Sequence, residues 1–135
     1  MINFTVPGNP MGKQRPRFCG KGRLVRTYTP RATVNYEAFV KQTFAAKYPD
    51  LVPMPGPVRM ILSIYLMESQ ETQRKIKKSI ATIYPTIKPD LDNVFKTCAD
   101  GLSGLAYVDD KQIISVYAEK KYSLRPCVEI IVAEP

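Results

Sequence analysis

Residues 88–112 read KPDLDNVFKTCADGLSGLAYVDDKQ, and the fold turns on how they divide. Leu91, Val94, Phe95, Cys98 and Leu102 recur at three- and four-residue steps. That period predicts a helix over 91–102 with one apolar side. Pro85 and Pro89 break the chain ahead of it, and Gly101 and Gly104 weaken and end it. From Gln112 to Lys120 the pattern becomes that of a strand.

Working outward, Ile2 to Val6 reads as a short strand closed by Pro7-Gly8. Residues 7–28 read as loop, punctuated by Pro7, Gly8, Pro10, Gly12, Pro16, Gly20 and Gly22. Thr29-Pro30 predicts a helix start, and Val34, Ala38, Val40, Phe44 and Ala45 continue it to Tyr48-Pro49. A proline-rich connector spans 49–57. A strand follows over Val58 to Met67, rich in Ile, Leu, Val and Tyr. Ser69 to Ile80 reads as a polar, basic helix carrying Arg74, Lys75, Lys77 and Lys78. Pro126 to Ala133 is a last strand. Strand, helix, strand, two helices and two strands is an α+β order, not a regular βαβ array.

The 135 residues suit one domain, 1–135, with enough apolar side chains for a core. No apolar run approaches the roughly 18 residues of a membrane span, and Met1 to Pro7 lacks the regions of a signal peptide. Three cysteines, Cys19, Cys98 and Cys127, show no paired spacing, so reduced, inert thiols in a cytoplasmic protein are expected. There is no histidine. That removes Ser-His-Asp and Cys-His nucleophiles, His-ligated zinc and any histidine general base. Catalysis is left to carboxylates, lysine, tyrosine or water on a metal.

Charge is unevenly placed. The net charge is +8, and no Asp or Glu precedes Glu37, whereas Lys13, Arg15, Arg17, Lys21, Arg23, Arg26 and Arg31 do. A basic balance of this kind points to nucleic acid. Yet five of the twelve acidic residues, Asp90, Asp92, Asp100, Asp109 and Asp110, fall between 88 and 112. Two like charges ~4 Å apart cost about 4 kcal/mol at an effective dielectric of 20. A crowded acidic site therefore calls for a cation or for raised pKa values.

Asp90 alone is explained as a helix N-cap. Asp90 and Asp92 together are not, because one cap needs one carboxylate. Asp109-Asp110 precedes a strand, where no capping role is expected. If the helix packs on that strand, the two pairs converge at one end, and their oxygens suit octahedral Mg²⁺ or Mn²⁺. Lys96 stands four residues after Asp92, either as an exposed i,i+4 pair or facing the scissile phosphate. Asn93 either binds phosphate or a metal water, or starts the helix. Asp100 reads as structural. Hydrolysis of a phosphodiester is the reaction this assembly suits.

Pro89-Asp90-Leu91-Asp92-Asn93, Lys96, Asp100, then Gly-Leu-x-Gly and Val108-Asp109-Asp110-x-Gln112-Ile113, resembles the RusA family of Holliday junction resolvases. The likeness is closest from Lys88 to Glu119. It implies a two-layer α+β fold with a mixed β-sheet and helices packed on it. It also implies a homodimeric, Mg²⁺-dependent endodeoxyribonuclease that nicks four-way DNA junctions symmetrically, with no organic cofactor and no membrane partner. By resemblance Asp90, Asp92 and Asp110 are catalytic metal carboxylates, Asp109 assists them at the metal, and Lys96 is the essential lysine. Lys13, Arg15, Arg17, Lys21, Arg23, Arg26, Lys88 and Asn93 are then the expected DNA contacts.

Two other assignments compete. A restriction-enzyme-like core would join Asp90 to Glu119 and Lys121, which share one face of a strand. It leaves Asp92, Lys96 and Asp110 without a role. A non-catalytic nucleic-acid-binding protein would use the aspartates as caps and solvated surface.

Overall fold

The computed structural model describes residues 1–12, 17–19, 26–28, 31–77 and 84–135, with the backbone alone at 17–19, 26–28 and 32–34. Of the expected features, Lys13, Arg15, Lys21, Arg23, Thr29-Pro30, Lys78 and the end of the basic helix lie outside the described residues.

The strands are β1 (Ile2–Pro7), β2 (Arg17–Cys19), β3 (Arg26–Tyr28), β4 (Val58–Met67), β5 (Ile113–Ser123) and β6 (Cys127–Ala133). The helices are α1 (Arg31–Lys47), α2 (Gln70–Lys77) and α3 (Leu91–Leu102), and a 3-10 turn spans Asp110–Gln112. Four strands form one mixed sheet in the order β1-β6-β4-β5. β6 runs antiparallel to both β1 and β4, while β5 runs parallel to β4 at the sheet edge. The connection between the parallel strands carries α2 and α3, as a parallel pair requires a crossover. The fold is α+β, as the element order implied.

Alternation sets which face is covered. Along β4, Val58, Met60, Leu62, Ile64 and Leu66 are buried. β6 adds Val128, Ile130 and Val132, and β1 adds Ile2, Phe4 and Val6. On this face lie α1, through Tyr36, Val40 and Phe44, and α3, through Val94, Cys98 and Leu102. The result is one layer of helices on one sheet.

Two expectations are corrected. Residues 7–28 are not loop throughout: Arg17–Cys19 pairs antiparallel with Arg26–Tyr28. Phe, Thr and Tyr favour strands, but the surrounding basic and glycine residues hide so short a signal. Gly101 does not end α3. It lies inside the helix, where a Cβ would stand 3.1 Å from Val40 Cγ1 and 3.3 Å from the Glu37 carbonyl. The glycine lets α1 and α3 approach closely. Gly104, at φ +85°, takes the left-handed conformation beyond the helix end.

β5 extends to Ser123, three residues past the expected Lys120, because β4 offers partners up to Met67. Among the described residues no helix is long and apolar enough to cross a membrane. Cys98 is fully buried, and that burial pushes its thiol up to about 12, so it is inert as expected.

Candidate active site

The acidic residues lie along α3 and the turn that feeds β5. Asp90 occupies the N-cap position of α3 with φ −68° and ψ 141°, yet its side chain makes no cap hydrogen bond. The helix-cap explanation of this carboxylate therefore does not hold. Asp90 and Asp92 are both exposed. The Asp90 carbonyl accepts the first intrahelical bond, from Val94 N–H at 3.1 Å.

Lys96 gathers the other end of the strip. Its ammonium donates to Asp110 Oδ2 at 3.0 Å and stands 3.1 Å from Asp100 Oδ1. Asp110 first, and Asp100 with it, hold Lys96 above the ordinary lysine range. Among the described residues these are its ion pairs, so of the two alternatives for Lys96 the i,i+4 pair with Asp92 is not formed, and a forward pair with Asp100 stands in its place. Asp100, read as structural, makes an i,i+4 ion pair within its own helix.

Asp109 and Asp110 have different tasks. Asp109 caps the 3-10 turn, accepting from Lys111 N–H at 3.1 Å. That bond, with the Lys111 charge, holds Asp109 below its ordinary value. The expectation that no capping role existed here is corrected. A single 3-10 turn lacks a helical period in sequence, so the cap has no pattern ahead of it. Asp110 is left to face Lys96.

Gln112 fixes this turn. Its Oε1 accepts from Asp109 N–H at 2.8 Å, and its Nε2 donates to the carbonyls of Met54 at 2.8 Å and Gly56 at 2.7 Å. The connector before β4 is thereby stitched to the acidic turn, and Met54 N–H adds a 2.9 Å bond to the Ala106 carbonyl. Tyr107, fully buried, donates to the Ala99 carbonyl at 2.7 Å and ties the loop to α3. Gln112 stood inside the quoted motif, but its partners more than fifty residues away were not legible there.

The start of α3 is held from two sides. Lys120 on β5 donates to the Ile87 and Pro89 carbonyls at 2.7 and 3.0 Å. From the other side the chain after β1 comes so close that a Cβ on Gly12 would stand 2.9 Å from Asn93 Cβ and 3.3 Å from Pro89 Cβ. The basic loop thus leaves β1 directly beside the first turn of α3, and glycine is what permits that approach.

These contacts also set direction. The start of α3 meets Lys120, late in β5, whereas Lys96 and Asp100 meet Asp110, just before β5 begins. The helix therefore runs back along the strand. The two aspartate pairs do not converge at one end, as expected, but mark out a strip along α3. Among the described residues no three acidic side chains are gathered closely enough to hold a metal ion. The donor set is nevertheless all carboxylate oxygen, which suits Mg²⁺ or Mn²⁺. An ammonium already spans Asp100 and Asp110, so the site is one that a cation stabilises.

The rival triad is not assembled. Opposite the buried Leu62 and Ile64 stand Ala118 and Lys120, so Lys120 faces α3 while Glu119 and Lys121 take the other face of the sheet. Glu119 and Lys121 pair with each other at 2.8 Å, which lowers the carboxyl and raises the ammonium. Of the expected DNA contacts, Lys88 is exposed and Asn93 is half-buried against Gly12. Arg17 and Arg26 lie on β2 and β3.

Comparison with known proteins gives the chain's family. A protein of Bacillus subtilis (strain 168) named YqaN, described as uncharacterized, is 31% identical across 98% of this chain and 96% of its own length. The family model of endodeoxyribonuclease RusA matches residues 7–133. That span takes in the loop after β1, α3, the Asp109-Asp110 turn and the sheet that carries them, and the chain belongs to the RusA family of endodeoxyribonucleases, which act on branched DNA junctions.

Proposed function

We propose that this nuclease is a Mg²⁺-dependent resolvase, with Mn²⁺ able to substitute. It cuts a four-way junction by paired symmetric nicks, as a homodimer, in cytoplasmic DNA recombination and repair. The observation that carries the reading is the Lys96 ammonium held 3.0 Å from Asp110 on the helix whose first turn presents Asp90 and Asp92.

Asp90, Asp92 and Asp110, spaced along the strip, would supply the carboxylates for the metal, and Asp109 keeps the turn in place. The chemistry supplied by a bound Mg²⁺ is activation of water and offset of charge on the leaving oxygen. Lys96 adds a fixed positive charge where the phosphodiester passes, and stabilises the extra negative charge of the transition state. Asp110 and Asp100 favour its charged form. Asn93 and Lys88 flank the scissile strand. Lys13, Arg15, Arg17, Lys21, Arg23 and Arg26 hold the flanking phosphates. Two-fold symmetry of the junction calls for two sites related by the same axis, which a homodimer supplies.

The test is end-labelled four-way junction with Mg²⁺ or with EDTA, using the unaltered protein, Asp90→Asn and Asp110→Asn. Paired nicks with Mg²⁺, none with EDTA, and retained binding without nicking in both variants are expected. Nicking that survives in both variants overturns the assignment. Binding with no nicking under either Mg²⁺ or Mn²⁺ would instead identify a non-catalytic binding protein.

A further inference from the structure

We infer that Lys120 is a positioning residue for Asp90. It clamps the two carbonyls ahead of α3 and so fixes where that carboxylate stands. Lys120 lies on the covered face of β5, opposite Ile64, which is fully buried. Its stem crosses the edge of the core, and its ammonium reaches the Ile87 carbonyl at 2.7 Å and the Pro89 carbonyl at 3.0 Å. Bonds from an ionised donor are roughly twice as strong as neutral ones.

Pro89 immediately precedes Asp90, so a fixed Pro89 carbonyl leaves few free torsions between the clamp and the carboxylate. Asp90 contributes no side-chain bond of its own to the helix start. Of the flanking residues, Pro85 is buried and Pro89 half-buried, while Tyr84, Thr86, Ile87 and Lys88 are exposed, so the two prolines supply most of the packing there. Gly12 presses on Pro89 and Asn93 from elsewhere. Lys120 is thus the charged tether that ties the segment to the sheet. Glu119 and Lys121 pair with each other on the opposite face of the sheet. The ammonium also brings positive charge to within one residue of the carboxylate.

This inference rests on Asp90 belonging to the cation site, and the experiment separates the two. Mn²⁺ binding is measured by calorimetry on the full chain for the unaltered protein, Lys120→Met, Lys120→Arg and Asp90→Asn. Residues that orient metal ligands typically change metal affinity 10- to 100-fold when lost. Lys120→Met is therefore expected to weaken Mn²⁺ binding by roughly tenfold or more. Its kcat on the junction should fall while KM stays within about twofold, since the phosphate contacts lie elsewhere. Lys120→Arg should recover most of both.

Amide hydrogen exchange gives a readout independent of metal. In Lys120→Met it should accelerate over 91–94 and leave β4 and β6 unchanged. Mn²⁺ affinity and kcat within about twofold of the unaltered protein overturn the inference. So does exchange raised evenly through β4, β6 and α3, which marks a general loss of stability. If Asp90→Asn binds Mn²⁺ as well as the unaltered protein, the cation-site reading itself is lost, whatever Lys120→Met does.

Discussion

Gln112 shows how one side chain can decide the geometry of a site it does not enter. An amide offers two donors and an acceptor, and here both Nε2 bonds go to carbonyls of the connector and Oε1 to the Asp109 N–H. Truncation to alanine would leave the Met54 and Gly56 carbonyls and the Asp109 N–H without partners. Each lost bond of this kind costs about 1–3 kcal/mol when the orphaned group is buried. The residue is only partly buried and water can answer in part, so Gln112→Ala is expected to lower stability by about 1–2 kcal/mol. Chemical denaturation would measure this. Nicking should fall further than stability explains, because Asp110 loses the turn that aims it at Lys96. A Gln112→Ala protein that nicks at the unaltered rate would show that the turn holds itself. Glutamate at 112 would be worse than alanine, since a carboxylate would face two carbonyls.

At the level of elements, the alternating β4 and the 3.6-residue period of α3 were both plain in the sequence, because each buries a regular stripe against the core. Three features were not plain. The β2–β3 pair is three residues on each side, too short for a pattern. The Asp109 cap belongs to a single 3-10 turn. The Lys120 tether joins side chain to backbone across 31 and 33 residues, and a carbonyl leaves no mark in sequence. The antiparallel run of α3 along β5 follows from those same long-range contacts, which is why the expected meeting of the two aspartate pairs at one end did not hold. Gly101 was misjudged for a related reason. Read locally it weakens a helix by up to about 1 kcal/mol relative to alanine. Read in the fold it admits Val40 of α1. Gly101→Val is therefore expected to destabilise by about 1–3 kcal/mol, as added methyls force apart packed helices. A thermal melt checks this, and an unchanged Tm would mean that α1 yields freely.

The whole molecule sets a polyanion against a row of carboxylates, and its charge distribution resolves that conflict. The net charge is +8, and the first thirty-six residues contain no acidic side chain. The loop that carries most of this charge departs from Gly12, in contact with Asn93 and Pro89 at the head of α3. Phosphates gripped by that loop would arrive beside Asp90 and Asp92. Affinity is then electrostatic and catalysis local, so the two should separate experimentally. Each phosphate neutralised on duplex DNA contributes a slope of about −0.9 to log affinity against log salt. Lys13, Arg15, Arg17, Lys21, Arg23 and Arg26, contacting one phosphate each, would give a slope on the order of −5 in EDTA. Replacing Arg15 and Arg23 with alanine should make it shallower by about 2. Asp90→Asn should leave the slope unchanged and tighten binding, since it removes a charge that repels DNA without removing a phosphate contact. A slope near zero would mean that the basic loop does not hold the backbone. Equal slopes for the unaltered protein and the doubly substituted one would remove Arg15 and Arg23 from the phosphate contacts.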